Sequence, residues 1–108
     1  MNLIIKTGRS LYHRIKLSDL EFIQAHKGRT IVMCKQKLNT AAPFKDVISV
    51  LNGNIFKCHR SYAVNLDAVI SFTNDSIRLP SKVLPLGSKY KEIFIQLMFE
   101  KNTLITSK

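Results

Sequence analysis

Apolar residues in this chain recur mostly at every second position, in short runs separated by turns rich in Gly, Asn, Ser and Pro. That spacing commits most of it to β-strands. Beyond Leu3–Lys6, Leu11, His13, Ile15 and Leu17 fall on one face, and Tyr12, Arg14 and Lys16 on the other. Such a half-buried strand folds back on Leu3–Lys6 through the short Thr7-Gly8-Arg9 loop. His13, the odd member of the apolar face, reads as a hydrogen-bonded core or edge residue, because nothing near it completes a site. Leu17-Ser18-Asp19 makes a turn and Leu20–Ala25 the next strand. After the tight polar loop His26-Lys27-Gly28-Arg29, in which Gly28 can take a positive φ, Thr30–Lys37 returns as its partner.

Two stretches switch to helical spacing. Phe44, Val47, Ile48 and Leu51 form one stripe of a short helix, with Pro43 suited to its first turn and Gly53 to its end. Asn52-Gly53-Asn54 then leads into a strand at Phe56, where Phe56 and Cys58 alternate with Lys57 before the polar knot His59-Arg60-Ser61. Strands follow at about Ala68–Thr73, Ser76–Leu79 and Val83–Leu86, the last at a sheet edge because Pro80 and Pro85 cannot donate ladder hydrogen bonds. From Ser88, a natural N-cap, Tyr90, Ile93, Phe94, Leu97 and Met98 make the apolar face of a closing helix. The polar tail, residues 99–108, is expected to fray.

At 108 residues the chain is expected to form one domain, with a core over about residues 3–98. Its 17 Lys and Arg against 7 Asp and Glu give a formal charge of +10, which attracts polyanions: nucleic acid first, an anionic membrane surface second. Cys34 and Cys58 are too few for a disulfide framework. No signal peptide is expected, and no apolar run approaches the roughly 20 residues a membrane span needs. The expectation is a reduced, cytoplasmic, soluble protein.

Catalytic and metal chemistry find no foothold. Cys34, Cys58, His13, His26 and His59 lack the spacing that preorganises zinc ligands, and adjacent Cys58 and His59 on a strand point to opposite faces. The seven carboxylates are scattered, and no phosphate loop or nucleophile elbow occurs. The expectation is a protein that is not an enzyme, with no cofactor and no metal.

Cations instead recur on three short connections: Lys27 with Arg29, Arg60, and Lys89 with Lys91 at the start of the last helix. Each reads singly as solvated charge. Together they suit duplex DNA, through counterion release and the ability of Arg to read guanine in the major groove. No helix-turn-helix with a polar recognition helix is present, so base reading would come from loops. The competing reading is a small basic RNA-binding protein, which would want aromatics exposed along a sheet. Only Tyr12 has a clearly outward strand position.

The run His59-Arg60-Ser61-Tyr62-Ala63-Val64-Asn65, after a strand led by Phe56, resembles the signature of the LytTR DNA-binding domain, an output module of bacterial response regulators. The likeness extends from about Leu3 to Met98. It takes in Asp19-Leu20 with Phe22, Ile77-Arg78-Leu79, Leu84-Pro85-Leu86 and a closing helix led by Tyr90. The resemblance implies a mainly β fold of antiparallel strands in small packed sheets, with one short mid-chain helix and a C-terminal helix. It implies loops that enter adjacent major grooves, with base contacts at or near Arg29, at Arg60, and at Ser88 or Lys89. Lys27, His59, Ser61 and Lys91 would hold phosphates. It further implies a dimer on paired direct repeats of double-stranded DNA, and an N-terminal receiver domain that this chain does not contain. Two positions depart from the family pattern. Gly87-Ser88-Lys89 stands where Ser-Arg is usual before the closing Tyr, and Gln24 stands where an acidic residue is common.

Overall fold

A computed structural model of the protein describes residues 2–51 and 53–106; Met1, Asn52 of the 52–54 connection and the last two residues of the tail lie outside it. The chain opens with the hairpin β1 (Asn2–Lys6) and β2 (Tyr12–Lys16), followed by β3 (Phe22–His26), β4 (Arg29–Met33) and β5 (Lys37–Thr40). Helix α1 (Phe44–Val50) leads into β6 (Ile55–His59) and β7 (Tyr62–Asn65). Then come β8 (Ser71–Phe72), β9 (Ser76–Arg78), β10 (Val83–Pro85) and helix α2 (Lys91–Lys101). Single 3-10 turns at Leu17–Asp19 and Leu66–Ala68 connect them.

These strands make three antiparallel sheets: the β1-β2 hairpin, a three-stranded sheet in the order β10-β9-β8, and a central five-stranded sheet in the order β5-β4-β3-β7-β6. Adjacent apolar residues, Phe22-Ile23 on β3 and Ala63-Val64 on β7, point to opposite faces, so the central sheet is apolar on both. On one face Phe22, Cys58 and Val64 pack with Leu66, Ile77, Leu79, Leu84 and Leu86, and with Phe94 of α2. On the other, Ile23, Val32, Leu38 and Ala63 pack with Ile15, Leu20 and Leu51, flanked by Leu3 and Ile5 of the hairpin and Phe44, Val47 and Ile48 of α1. Each fully buried Leu, Ile or Phe contributes about 1.5–3 kcal/mol, so the two layers carry most of the folding free energy.

Asn65 ends the signature run as a structural residue. Its buried side chain donates to the Leu20 carbonyl at 2.8 Å and accepts from the Asp67 backbone N–H at 3.1 Å, fastening β7 to the turn before β3. Buried amides need such partners, and this one has them.

The fold class agrees with the expectation, and several boundaries do not. The expected Thr30–Lys37 strand is two strands, since the chain turns at Cys34–Gln36 and β5 pairs back along β4 from Met33↔Lys37 to Thr30↔Thr40. Tyr62–Asn65, for which no strand is expected, is a strand of the central sheet, paired with both β3 and β6. Ala68 belongs to a 3-10 turn, so the strand expected over Ala68–Thr73 shrinks to β8. Ser88 does not cap the closing helix. Residues 88–90 form a separate turn, and α2 begins at Lys91 with no side-chain cap at Tyr90. The helix seats on Phe94, Leu97, Met98 and Ile95, which rotates Ile93 out to solvent. Leu11 and Phe99 are likewise exposed, and α2 runs into the expected tail as far as Lys101.

Candidate nucleic-acid interface

The three cationic connections meet at one end of the central sheet, and the fastenings are backbone hydrogen bonds. The first, between β3 and β4, is a two-residue turn. His26 pairs with Arg29, and Lys27 and Gly28 lie between them at φ +52° and +77°. Positive φ at both central residues is the type I′ pattern, whose twist matches that of the flanking strands. Arg29 is therefore the first residue of β4 and not part of the loop tip. Its side chain, with those of His26 and Lys27, is exposed.

The second connection joins β6 to β7 through Arg60 and Ser61, with His59 paired to Tyr62. Neither turn residue has positive φ. An irregularity between Lys57 and His59 leaves Cys58 as an extra residue on β6, and a bulge of this kind increases local twist. Arg60 is exposed, while His59 and Ser61 are half-buried. Because β7 lies beside β3, the two turns are neighbours, and the Ala25 N–H donates to the Ser61 carbonyl at 2.8 Å.

The third connection runs from Gly87 to Tyr90. The Gly87 N–H donates to the carbonyl of the bulged Cys58 at 2.8 Å, and the Tyr90 N–H donates back to Gly87 at 2.9 Å. A Cβ on Gly87 would come within 3.3 Å of the Tyr90 ring and 3.6 Å of the Cys58 carbonyl oxygen, so the close approach suits glycine. Tyr90 in turn meets Phe56 edge-on at 6.5 Å. Ser88 and Lys89 are exposed beyond this anchor, with the Lys89 ammonium 5.7 Å from the Tyr90 ring centre. Lys91, half-buried, opens α2. The sequence singled out the charged residues here but gave Gly87 no role, and only its hydrogen bond to Cys58 reveals one.

Lys82 is a further cation that the sequence did not single out. It donates to the Tyr62 hydroxyl at 3.3 Å and lies over the Tyr62 and Phe22 rings. The turn that carries it is held by the Glu21 carboxylate, which accepts from the Ser81 N–H and hydroxyl.

Among the described residues, the ion pairs comprise only Lys35 with Asp19, at 3.8 Å. The excess charge is thus not neutralised internally, and the clustered turns present it to solvent. The cysteines belong elsewhere: Cys58 and Cys34 lie in the layers on opposite faces of the sheet. Burial pushes the Cys58 thiol up to about 12, so it is neutral at physiological pH. No helix among the described residues is long and apolar enough to cross a membrane.

A β module whose turns are fastened side by side, each bearing unpaired cations, is built to hold a polyanion. The chain belongs to the LytTr DNA-binding domain family, whose model matches residues 10–98, and it is a DNA-binding domain of the kind that serves transcription regulation. Its fold is similar to the LytTr DNA-binding domain of a response regulator from Bacillus cereus, at a TM-score of 0.75 and 16% identity, over 90% of this chain and 95% of that one. Among curated proteins no sequence matches.

Proposed function

We propose that residues 1–108 act as one unit that binds double-stranded DNA sequence-specifically, inserting the three clustered turns into the major groove. In this reading Arg29, Arg60 and Ser88 or Lys89 contact bases, and Lys27, His59, Ser61 and Lys91 hold phosphates. The observation that carries it is the backbone fastening of Ser61 to Ala25 and of Gly87 to Cys58, which brings three cationic turns to one end of a rigid sheet. Arginine can meet the O6 and N7 acceptors of guanine there, and α2, whose first turn lacks a side-chain cap, can offer its free amides to a phosphate.

The setting we propose is cytoplasmic: the output domain of a two-component response regulator, preceded by a receiver domain, or a stand-alone transcription regulator. The Bacillus cereus protein of similar fold is itself named a response regulator. Two copies on paired direct repeats are the expected assembly on DNA.

The RNA-binding alternative is not favoured, because Phe22, Phe56, Phe72 and Phe94 are packed into a core layer and cannot stack bases. Selection of bound duplexes from a random pool, in the presence of excess single-stranded RNA, tests the reading. Recovery of a shared motif is the expected result. Loss of all duplex binding to the RNA competitor would overturn it.

A further inference from the structure

The turn between β6 and β7 holds Arg60 without the conformation that such turns ordinarily use. Two-residue hairpin loops fit the strand twist when they are type I′ or II′, and both types need positive φ. The Lys27-Gly28 turn meets that requirement and the Arg60-Ser61 turn does not. Something else must hold it, and the structure shows what. The Ser61 backbone N–H donates to His59 Nδ1 at 3.1 Å, closing a ring of the kind Asn and Asp form when they accept from the N–H two residues on. The Ser61 carbonyl is held as well, by the Ala25 N–H at 2.8 Å. Both backbone groups of the residue after Arg60 are therefore fixed, the first by an imidazole.

A backbone N–H can only donate, so Nδ1 must carry a lone pair, and the neutral ring then carries its proton on Nε2. Among the described residues no protein group accepts from Nε2. The ring also stands 5.7 Å from that of Tyr62, tilted by 58°, which restricts its orientation.

We propose that His59 is the positioning residue for Arg60: its Nδ1 sets the turn that aims the guanidinium, and its Nε2–H is the donor left for a phosphate oxygen. The proposal rests on the DNA-binding reading and divides one side chain into two separable halves. Asparagine reproduces the Nδ1 half, since its Oδ1 can accept the Ser61 N–H. Glutamine reproduces the Nε2 half, since its amide nitrogen reaches further but leaves no acceptor beside Ser61.

The test compares His59→Asn and His59→Gln on two probes: the tightest duplex recovered from a random pool, and a scrambled duplex of the same composition. His59→Asn is expected to bind both more weakly while keeping the ratio between them. His59→Gln is expected to lower the ratio about fivefold or more, the scale of a lost arginine–base contact. In an Arg60→Ala background the Gln substitution should no longer change the ratio, an outcome that general damage to the fold would not produce. Loss of the ratio in the Asn variant, or an equal effect of Gln with and without Arg60, overturns the proposal. Nitrogen chemical shifts of the imidazole in the free protein provide a readout independent of DNA. An unprotonated Nδ1 supports the assignment, and a protonated Nδ1 in the neutral ring refutes it whatever the DNA result. If the pool yields no preferred duplex, the sequence-specific reading falls, and this proposal with it.

Discussion

Lys27 occupies left-handed backbone space at φ +52°, where a side chain with a Cβ is strained and asparagine or glycine is preferred. A strained lysine at an exposed turn tip fits the phosphate-holding role proposed for it. Lys27→Asn is expected to raise stability by up to about 1 kcal/mol in urea titrations while weakening duplex binding. Improved binding would remove Lys27 from the interface. Arg60 faces the opposite test, since its side chain is exposed and, among the described residues, makes no hydrogen bond or ion pair that would hold the fold. Arg60→Ala is expected to cost about 1–3 kcal/mol on a selected duplex and to flatten discrimination there. Equal losses on selected and random duplexes would move it to the phosphate-holding group.

Cys58, buried beneath the same turn, titrates in a way that affects folding. Its thiol is pushed up by burial from an ordinary value near 9 to about 12, so the unfolded chain releases this proton first. The contribution to stability is therefore full below pH 9 and declines as pH rises to about 12. Denaturation midpoints measured across that window should fall more gently for Cys58→Ala than for the unaltered protein. Identical slopes would show that the thiol is solvated.

Among the elements, α2 connects the core to the interface. Phe94 is fully buried and meets Phe72 edge-on at 5.3 Å and Phe56 at 6.0 Å. Its backbone N–H also donates to the Tyr90 carbonyl, one turn past Gly87. Phe94→Ala is expected to cost about 3–5 kcal/mol by thermal or urea unfolding. A loss under 1 kcal/mol would mean that α2 is not seated as described.

Much at this scale was legible in the sequence. The β1–β2 hairpin, the β3–β4 turn, α1, and the β9–β10 edge follow from period and turn chemistry. What was not legible has physical causes. Tyr62–Asn65 is too short a run to announce a strand, and it becomes one only because β3 and β6 flank it. Cys34–Gln36 carries neither Gly nor Pro, and the turn there is held by the Cys34 N–H and thiol donating to the Gln36 carbonyl. The start of α2 departs from the expectation because Ser88 has the chemistry of a cap, whereas the chain first turns on the Gly87–Cys58 and Tyr90–Gly87 bonds and coils only from Lys91. At the site, the charged residues could be picked out from sequence. The bonds that gather them could not, because a backbone donor leaves no mark on residue identity.

For the whole molecule, charge and architecture act on different observables. With 17 cationic side chains and, among the described residues, one ion pair, association with DNA should be strongly salt-dependent. Lys91→Ala is expected to weaken all duplexes alike and to reduce the slope of log affinity against log salt by about one. An unchanged slope would take Lys91 out of contact.

The fastenings between the turns use main-chain atoms: Ala25 to Ser61 and Gly87 to Cys58. Substituting Arg29, Arg60, Ser88 or Lys89 leaves those bonds in place. On the proposed reading, new preferences for duplex sequences arise by exchanging a few outward side chains, and a library confined to those positions is the economical starting point for retargeting the domain.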